Sequence, residues 1–420
     1  MPYRILMVAP TSFFGDYGCH VRILEETLAL QKLGHQVLIV TYPRGRDLPG
    51  LQIERTIPVP WRVDYEVGSS RHKLALDLLL LPRVLRAARR FKPDLVHGHT
   101  HEGAFIGALV ATTFHKPLIL DFQGSMTGEM VDHHFLNRRG PLYRPVRALE
   151  TLIDHLPQAI LTSAPNQVEV LCREFGVAPE KIVHIADAVN PAEFRPLAPD
   201  AQDRRAAEIT RLKKYLGIPR RRPVVVYLGL LADYQGVGLL IEAAAQVLAH
   251  GTDAHFVIMG YPGAERYARR AQELGVADRI SLPGRIPYDD APTWLAIGDI
   301  AAAPKLSATE GNGKILNYMA CGLPVVAFDN PVAREYLGED GIFAPSGNVA
   351  GLAAGIEALL CDPGRARELG RRLRTRAIEK FAWDLSARKI EQVYESVLHA
   401  PRTASLPLRE SAPNKSPNAD

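Results

Sequence analysis

The sequence predicts two α/β domains in tandem, each a parallel sheet covered by helices. Three observations predict it. Short apolar runs alternate with helical patterns, starting with a strand, a glycine loop, a helix and a strand between Ile5 and Val40. The alternation pauses at the proline-rich Phe194-Arg195-Pro196-Leu197-Ala198-Pro199 and then begins again. A length of 420 residues suits two large domains.

Ile5 to Ala9 reads as a buried strand and Pro10 to Gly18 as a loop containing Gly15. Val21, Ile23, Leu24 and Leu28 mark a helix that stops at Gly34, and Val37 to Val40 is the next strand. Such a unit closes with a right-handed crossover between parallel strands. Its loop is not G-x-G-x-x-G, so the dinucleotide fingerprint is absent. Residues 44–70, with Pro49, Pro58 and Pro60, read as irregular. Leu74 to Arg90 reads as a helix that Pro82 would break. Its far end is basic through Arg83, Arg86, Arg89 and Arg90; this is either a solvated face or a contact for a membrane surface or anionic acceptor. Asp94 to His97 is a strand leading into Gly98-His99-Thr100-His101, and Leu118 to Leu120 is a strand ending in Asp121-Phe122-Gln123. Open α/β sheets bind ligands at these carboxyl ends of strands. The alternating histidines have no second cluster at ligand spacing, so no metal is expected. Ala159 to Ser163 and Ile182 to Ile185 complete six or seven strands.

After the linker, a polar helix near Asp203 to Leu216 leads to the strand Val224 to Leu228. The loop Gly229 to Gly236, the helix Leu239 to Leu248 and the strands His255 to Met259 and Ile280 to Leu282 follow. Ile300 to Ala303 then feeds the stretch around which the second half is organised, PKLSATEGNGKILNYMACGLPVVAFDN from Pro304 to Asn330. There Glu310 precedes the turn Gly311-Asn312-Gly313, a short helix starts at Lys314, and Val325 to Phe328 is a strand. A glycine turn feeding a helix presents backbone N–H groups that suit an anion such as phosphate. Ile315 follows Lys314, so the P-loop pattern fails. Phe381 to Leu398 is an amphipathic helix, and residues 400–420 read as a disordered tail.

Composition narrows the function classes. The net charge of +4 does not indicate nucleic acid, and the apolar run Leu74 to Leu81 is too short to span a bilayer. Cys19, Cys172, Cys321 and Cys361 form no C-x-x-C pair, which argues against a disulfide framework and for a reducing cytoplasm. Met1 to Arg4 leads straight into a strand, with no signal-peptide pattern.

In their order and spacing, several stretches together resemble a family 4 glycosyltransferase of the GT-B fold, over nearly all of residues 3–399. They are GCHVRILEETLALQKLGHQVLIV, FKPDLVHGHTHEGAFIGAL, EKIVHIADAVNPAEFRP, VVVYLGLLADYQGVGLLIEAA, ISLPGRIPYDD, ATEGNGKILNYMACGLPVVAFDN and GIFAPSGN. The resemblance implies two Rossmann-like domains facing across a cleft. Residues 1–196 would carry the acceptor, 197–380 the nucleotide sugar, and the helix of 381–399 would return to the first domain. It implies a retaining transfer from a nucleoside-diphosphate sugar, UDP or GDP foremost, to a glycan, a lipid-linked or a small-molecule acceptor. Neither metal nor other cofactor is implied, and the setting is cytoplasmic, at the inner face of the membrane if the basic helix binds there.

By the same resemblance, Glu310 contacts the sugar, and His99, Asp121 and Gln123 are the polar groups at the reacting centre. The donor is held by Gly18, His20, Gly229, Gln235, Gly260, Arg285, Ile286, Gly311, Asn312, Gly313, Lys314, Ile315 and Asn317. The chain departs from the family pattern in three ways. Asn317 stands where a ribose-binding acid is usual. Leu230 and Gln235 stand where an arginine and a lysine clamp the diphosphate. Gln123 stands where many relatives have histidine. Lys314 is the natural substitute for the lost charge. These departures keep two competing readings open: a non-catalytic protein binding nucleotide sugar or glycan, and a sugar-nucleotide epimerase of similar fold.

Overall fold

The computed structural model describes residues 2–59, 73–132, 135–197, 204–307 and 311–399. The first domain alternates β1 (Arg4–Ala9), α1 (Gly18–Lys32), β2 (Gln36–Thr41), β3 (Gln52–Arg55), α2 (Lys73–Phe91), β4 (Leu95–His99), α3 (Thr100–Phe114), β5 (Leu118–Phe122), α4 (Met126–Asp132), α5 (Tyr143–His155), β6 (Ala159–Thr162), α6 (Pro165–Phe175) and β7 (Ile182–His184). Its seven parallel strands run β3-β2-β1-β4-β5-β6-β7. The second domain alternates α7 (Arg204–Tyr215), β8 (Val224–Leu228), α8 (Val237–Ala249), β9 (His255–Met259), α9 (Ala264–Glu273), β10 (Ile280–Gly284), α10 (Ala291–Leu295), β11 (Ile300–Ala303), α11 (Lys314–Ala320), β12 (Val325–Phe328), α12 (Pro331–Leu337), β13 (Ile342–Ala344), α13 (Val349–Cys361) and α14 (Pro363–Lys380). Its six strands run β10-β9-β8-β11-β12-β13. Both orders reverse direction beside the first strand of the domain, which opens a crevice at the carboxyl ends of the strands.

Central strands such as Ile5 to Ala9 and Val325 to Phe328 are buried throughout because helices cover both faces. In the first domain α1 packs one face, while α2, α3, α5 and α6 pack the other. The last helix, α15 (Trp383–His399), crosses back and lies on α1, burying Trp383, Ala387, Ile390, Val393 and Tyr394. Each large side chain buried there contributes about 2 kcal/mol. The two passages between the domains run side by side: Val189 N–H donates to Phe381 O at 2.8 Å, and Trp383 N–H to Val189 O at 3.1 Å.

Two local expectations are corrected. Residues 44–70 are not wholly irregular, since β3 pairs with β2 from Leu38↔Gln52 to Thr41↔Arg55. β3 is an edge strand with one free side, so Gln52-Ile53-Glu54-Arg55 carries little apolar signal. Pro82 does not break α2; it sits exposed inside a continuous helix. The basic end of α2 is also partly internal, because Arg83 and Arg90 both pair with Glu54, whose side chain is buried. Residues 60–70 and the tail 400–420 lie outside the described residues. Among those described, no helix is long and apolar enough to cross a membrane.

Candidate functional site

One cleft is lined from both domains. Thr11, Asp16, Tyr17, Gly18, Arg22, Lys73, Thr100, Gln123, Glu129 and Asp187 line it from the first domain. Gly229, Leu230, Gln235, Gly260, Ile286, Lys305, Gly311, Asn312, Gly313, Lys314 and Asn317 line it from the second. The cavity volume is about 360 Å³, in the range of small-molecule sites.

The second-domain wall is built from strand ends and glycines. Gly229 follows β8 and Gly260 follows β9; a Cβ at Gly260 would collide with the carbonyl of Gly229. The turn Gly311 to Gly313 is fixed from two sides. Lys305 Nζ donates to Gly311 O at 2.9 Å, and a Cβ at Gly311 would collide with Asp187 Oδ2. Asn312 is 4% exposed, and both its amide atoms lack a protein partner among the described residues. A buried, unpaired amide facing a cleft costs stability unless something else satisfies it. Lys314 Nζ donates to Gln235 Oε1 at 2.6 Å and to Tyr227 OH at 3.1 Å, and lies 4.4 Å above the Tyr227 ring. The ammonium therefore sits beside Gln235, the position of the missing family lysine. α11 has only seven residues, so its dipole is small and the lysine charge matters more.

Two expected donor residues sit differently. Ile315 is buried in the core, and its N–H is taken by Asn312 O. Arg285 does not line the cleft; it reaches across the domains to Gly15 O at 3.0 Å and Asp16 Oδ2 at 2.9 Å. Asp16 also accepts from the Tyr288 N–H and pairs with Arg46, while Tyr261 OH donates to Gly15 O. The Gly15-Asp16 loop is thus a clasp between domains. Glu310 lies outside the described residues.

On the first-domain side, parallel register sets His99 beside Asp121. His99 Nδ1 lies 3.1 Å from Asp121 Oδ2, and Gln123 Nε2 donates to the same oxygen at 2.9 Å. Arg22, rising from α1, makes a forked contact with Asp121 and reaches Asp187 Oδ1 at 3.0 Å. Burial alone would raise the Asp121 carboxyl, yet Arg22 and His99 hold it well below the usual range. Asp187 stays above the usual range because burial outweighs Arg22. Of the three residues expected at the reacting centre here, only Gln123 lines the cleft; His99 and Asp121 are buried behind it. His20 is also off the cleft wall. It is buried against Thr11 and Tyr17, and burial, with the charges of Arg285 and Arg55, lowers it to about 3. It is neutral and cannot offset a phosphate charge.

Two buried groups combine histidine with carboxylate: Glu26, His97 and His99, and His101, Glu150 and Asp154. In the first, the His97 and His99 rings stack 4.7 Å apart at 15°, so their in-plane lone pairs run side by side instead of converging on an ion. His97 Nδ1 bonds Tyr394 OH at 2.7 Å, which ties α15 to this layer. In the second, His101 Nε2 lies 3.2 Å from Asp154 Oδ1, joining α3 to α5. Sequence reasoning missed Arg22 and Asp187. Arg22 lies among the apolar positions of α1 near Glu25 and Glu26, and Asp187 lies within IVHIADAVN; neither stretch says that the two meet.

Residues 222–362 match the family model for glycosyl transferases group 1, and residues 18–193 match that for glycosyltransferase family 4. The chain is 28% identical over 369 residues to a 2-deoxystreptamine glucosyltransferase of Streptomyces kanamyceticus, covering 82% of this chain and 89% of that protein. It is 25% identical over 405 residues to a D-inositol 3-phosphate glycosyltransferase of Thermobispora bispora, covering 91% and 90%. Among solved structures, sucrose-phosphate synthase from Thermosynechococcus elongatus matches with a TM-score of 0.77 at 19% identity, covering 95% of this chain and all (100%) of that one. The Anabaena HepE protein in complex with UDP-glucose matches with a TM-score of 0.74 at 16% identity, covering 94% and 100%.

Proposed function

This chain is a family 4-like glycosyltransferase of the GT-B fold, and on that premise we propose that it transfers a sugar, with retention, from a nucleoside diphosphate to a hydroxyl of a small polyhydroxylated ring. UDP and GDP are the first donors to test. The observation that carries the donor site is the buried amide of Asn312, which has no protein partner among the described residues, beside the Lys314 ammonium in the cleft. In this reading Lys314 and the Gly311 to Gly313 backbone hold the diphosphate, Asn317 meets the ribose and Glu310 the sugar.

As the bond from the anomeric carbon to the β-phosphate oxygen breaks, negative charge grows on that phosphate. A preorganised cation there lowers the barrier. The acceptor hydroxyl attacks from the same face and gives its proton to the leaving phosphate. No protein nucleophile or metal is invoked, and Lys314 supplies charge that Leu230 and Gln235 cannot. The acceptor class is supported by the relatives, whose named acceptors, 2-deoxystreptamine and D-inositol 3-phosphate, are both cyclitols. The reading is cytoplasmic, as the nucleotide-sugar supply requires.

The test is a panel of UDP-, GDP-, ADP- and TDP-sugars with inositol, inositol phosphate and 2-deoxystreptamine as acceptors. Binding is followed by thermal shift and turnover by nucleotide release, with and without a chelator. Binding of no donor overturns the reading. Loss of turnover on chelation overturns its metal-free form. Binding without release favours the non-catalytic alternative, which the departures at Leu230, Gln235 and Asn317 motivate.

A further inference from the structure

We propose that the acceptor ring carries a protonated amine as well as hydroxyls, and that Glu129 selects it. The inference rests on the glycosyl-transfer reading above and adds the charge of the acceptor. Among the described residues, the first-domain wall of the cleft has two cations, Arg22 and Lys73. Both are already matched by acids of this chain. Arg22 is forked onto Asp121 and reaches Asp187 Oδ1 at 3.0 Å. Lys73, the first residue of α2, donates to Glu102 Oε1 at 3.3 Å, and Glu102 also accepts from Thr100 Oγ1 at 2.8 Å. The cations of the second-domain wall sit on the donor side, Lys305 at Gly311 O and Lys314 at Gln235. An acceptor phosphate would find no surplus cation on this wall.

Glu129 tips the balance at the Lys73 end. It lines the cleft together with Lys73, Thr100 and Gln123. Burial alone would lower the Lys73 ammonium, yet Glu102 and Glu129 lift it to about 12. Burial alone would raise the Glu102 carboxyl, yet Lys73 and Thr100 hold it at about 2. One ammonium thus stands among two carboxylates, and this corner of the cleft keeps a negative charge. Glu129 is also presented from a fixed place. Glu150, buried in α5, accepts from Ser125 Oγ at 2.7 Å and from the Thr127 N–H at 3.0 Å, which pins the start of α4 just before Glu129. A carboxylate held there takes charge-assisted hydrogen bonds from an ammonium, whereas a phosphate in the same place meets like charge. Thr100 and Gln123 add a hydroxyl and an amide for the ring hydroxyls. The amine is held and keeps its proton while a ring hydroxyl attacks, so the transfer step itself is unchanged.

The full chain, saturated with the nucleoside diphosphate that the donor panel selects, is titrated calorimetrically with 2-deoxystreptamine, inositol and inositol phosphate. 2-Deoxystreptamine should bind about tenfold or more tighter than inositol, inositol phosphate should bind weakest, and the spread should shrink as salt rises. Glu129→Gln should weaken 2-deoxystreptamine about tenfold or more while changing inositol by less than about twofold. Glu129→Lys should turn the order round in favour of inositol phosphate. Matched melting temperatures establish that the variants fold. Inositol phosphate binding as tightly as 2-deoxystreptamine, equal losses for the amine and for inositol in Glu129→Gln, or no binding of the amine overturns the proposal. With donor binding intact, each of these results overturns this proposal alone. Absence of nucleoside-diphosphate binding overturns the donor reading, and this proposal with it.

Discussion

His101 sets a pH limit on how firmly α3 is held to α5. Burial opposes its imidazolium, but the bond to Asp154 and the nearby carboxylates outweigh burial and lift it from 6.5 to about 9. The difference between 9 and 6.5 corresponds to about 3 kcal/mol of differential interaction. Asp154 is itself held above its usual range by burial, with Glu150 beside it, which offsets part of that gain. The net contribution is therefore smaller than that figure of about 3 kcal/mol. Because the folded pKa of the histidine is raised, this stability is fully present below pH 6.5 and disappears as pH rises through about 9. The assay is urea unfolding of the parent and His101→Gln at about pH 6 and about pH 9.5. The parent should be the more stable at the lower pH, and the gap should shrink at the higher one. A gap that stays constant or widens with pH would refute a charged His101 as the link between these helices.

Four further perturbations test the cleft. Lys314→Ala should weaken nucleoside-diphosphate binding by about tenfold or more while leaving nucleoside binding nearly intact; equal losses would remove its phosphate role. Arg22→Met strands Asp121 and Asp187 and should cost about 3 to 5 kcal/mol in a denaturant titration. Asp187→Asn leaves the Arg22–Asp121 pair standing, so it should cost far less, and donor affinity should rise as negative charge leaves the Gly311 turn; weaker donor binding would count against that placement. Asp16→Ala removes the carboxylate that Arg285, Arg46 and the Tyr288 N–H share, leaving only the backbone contacts at Gly15 O across the domains. The domains should open, read as a larger radius of gyration in solution scattering, with a higher KM for the donor; an unchanged radius would show that the Asp16 carboxylate does not hold the domains together.

Much of this protein was legible before any contact was known. The alternation of Ile5–Ala9, Val37–Val40 and Val224–Leu228 with amphipathic helices determines two parallel sheets, because doubly covered strands must be apolar along their whole length. The glycine turn before Lys314 and the final amphipathic helix were local patterns too, and both lie where such patterns belong. β3 was hidden because an edge strand needs no apolar face. The roles of single polar residues were decided only by tertiary structure. His20, His99 and Asp121 stand at loop and strand ends that suggest ligand contact, yet packing of α1 against the sheet buries all three behind the cleft wall. Arg22 and Asp187 are 165 residues apart and meet only because the first sheet and α1 fold together. Arg285 faces Asp16 only once the domains close. Local sequence determines which elements form, through periodicity and turn chemistry. Which charge meets which depends on chain crossings that no short stretch encodes.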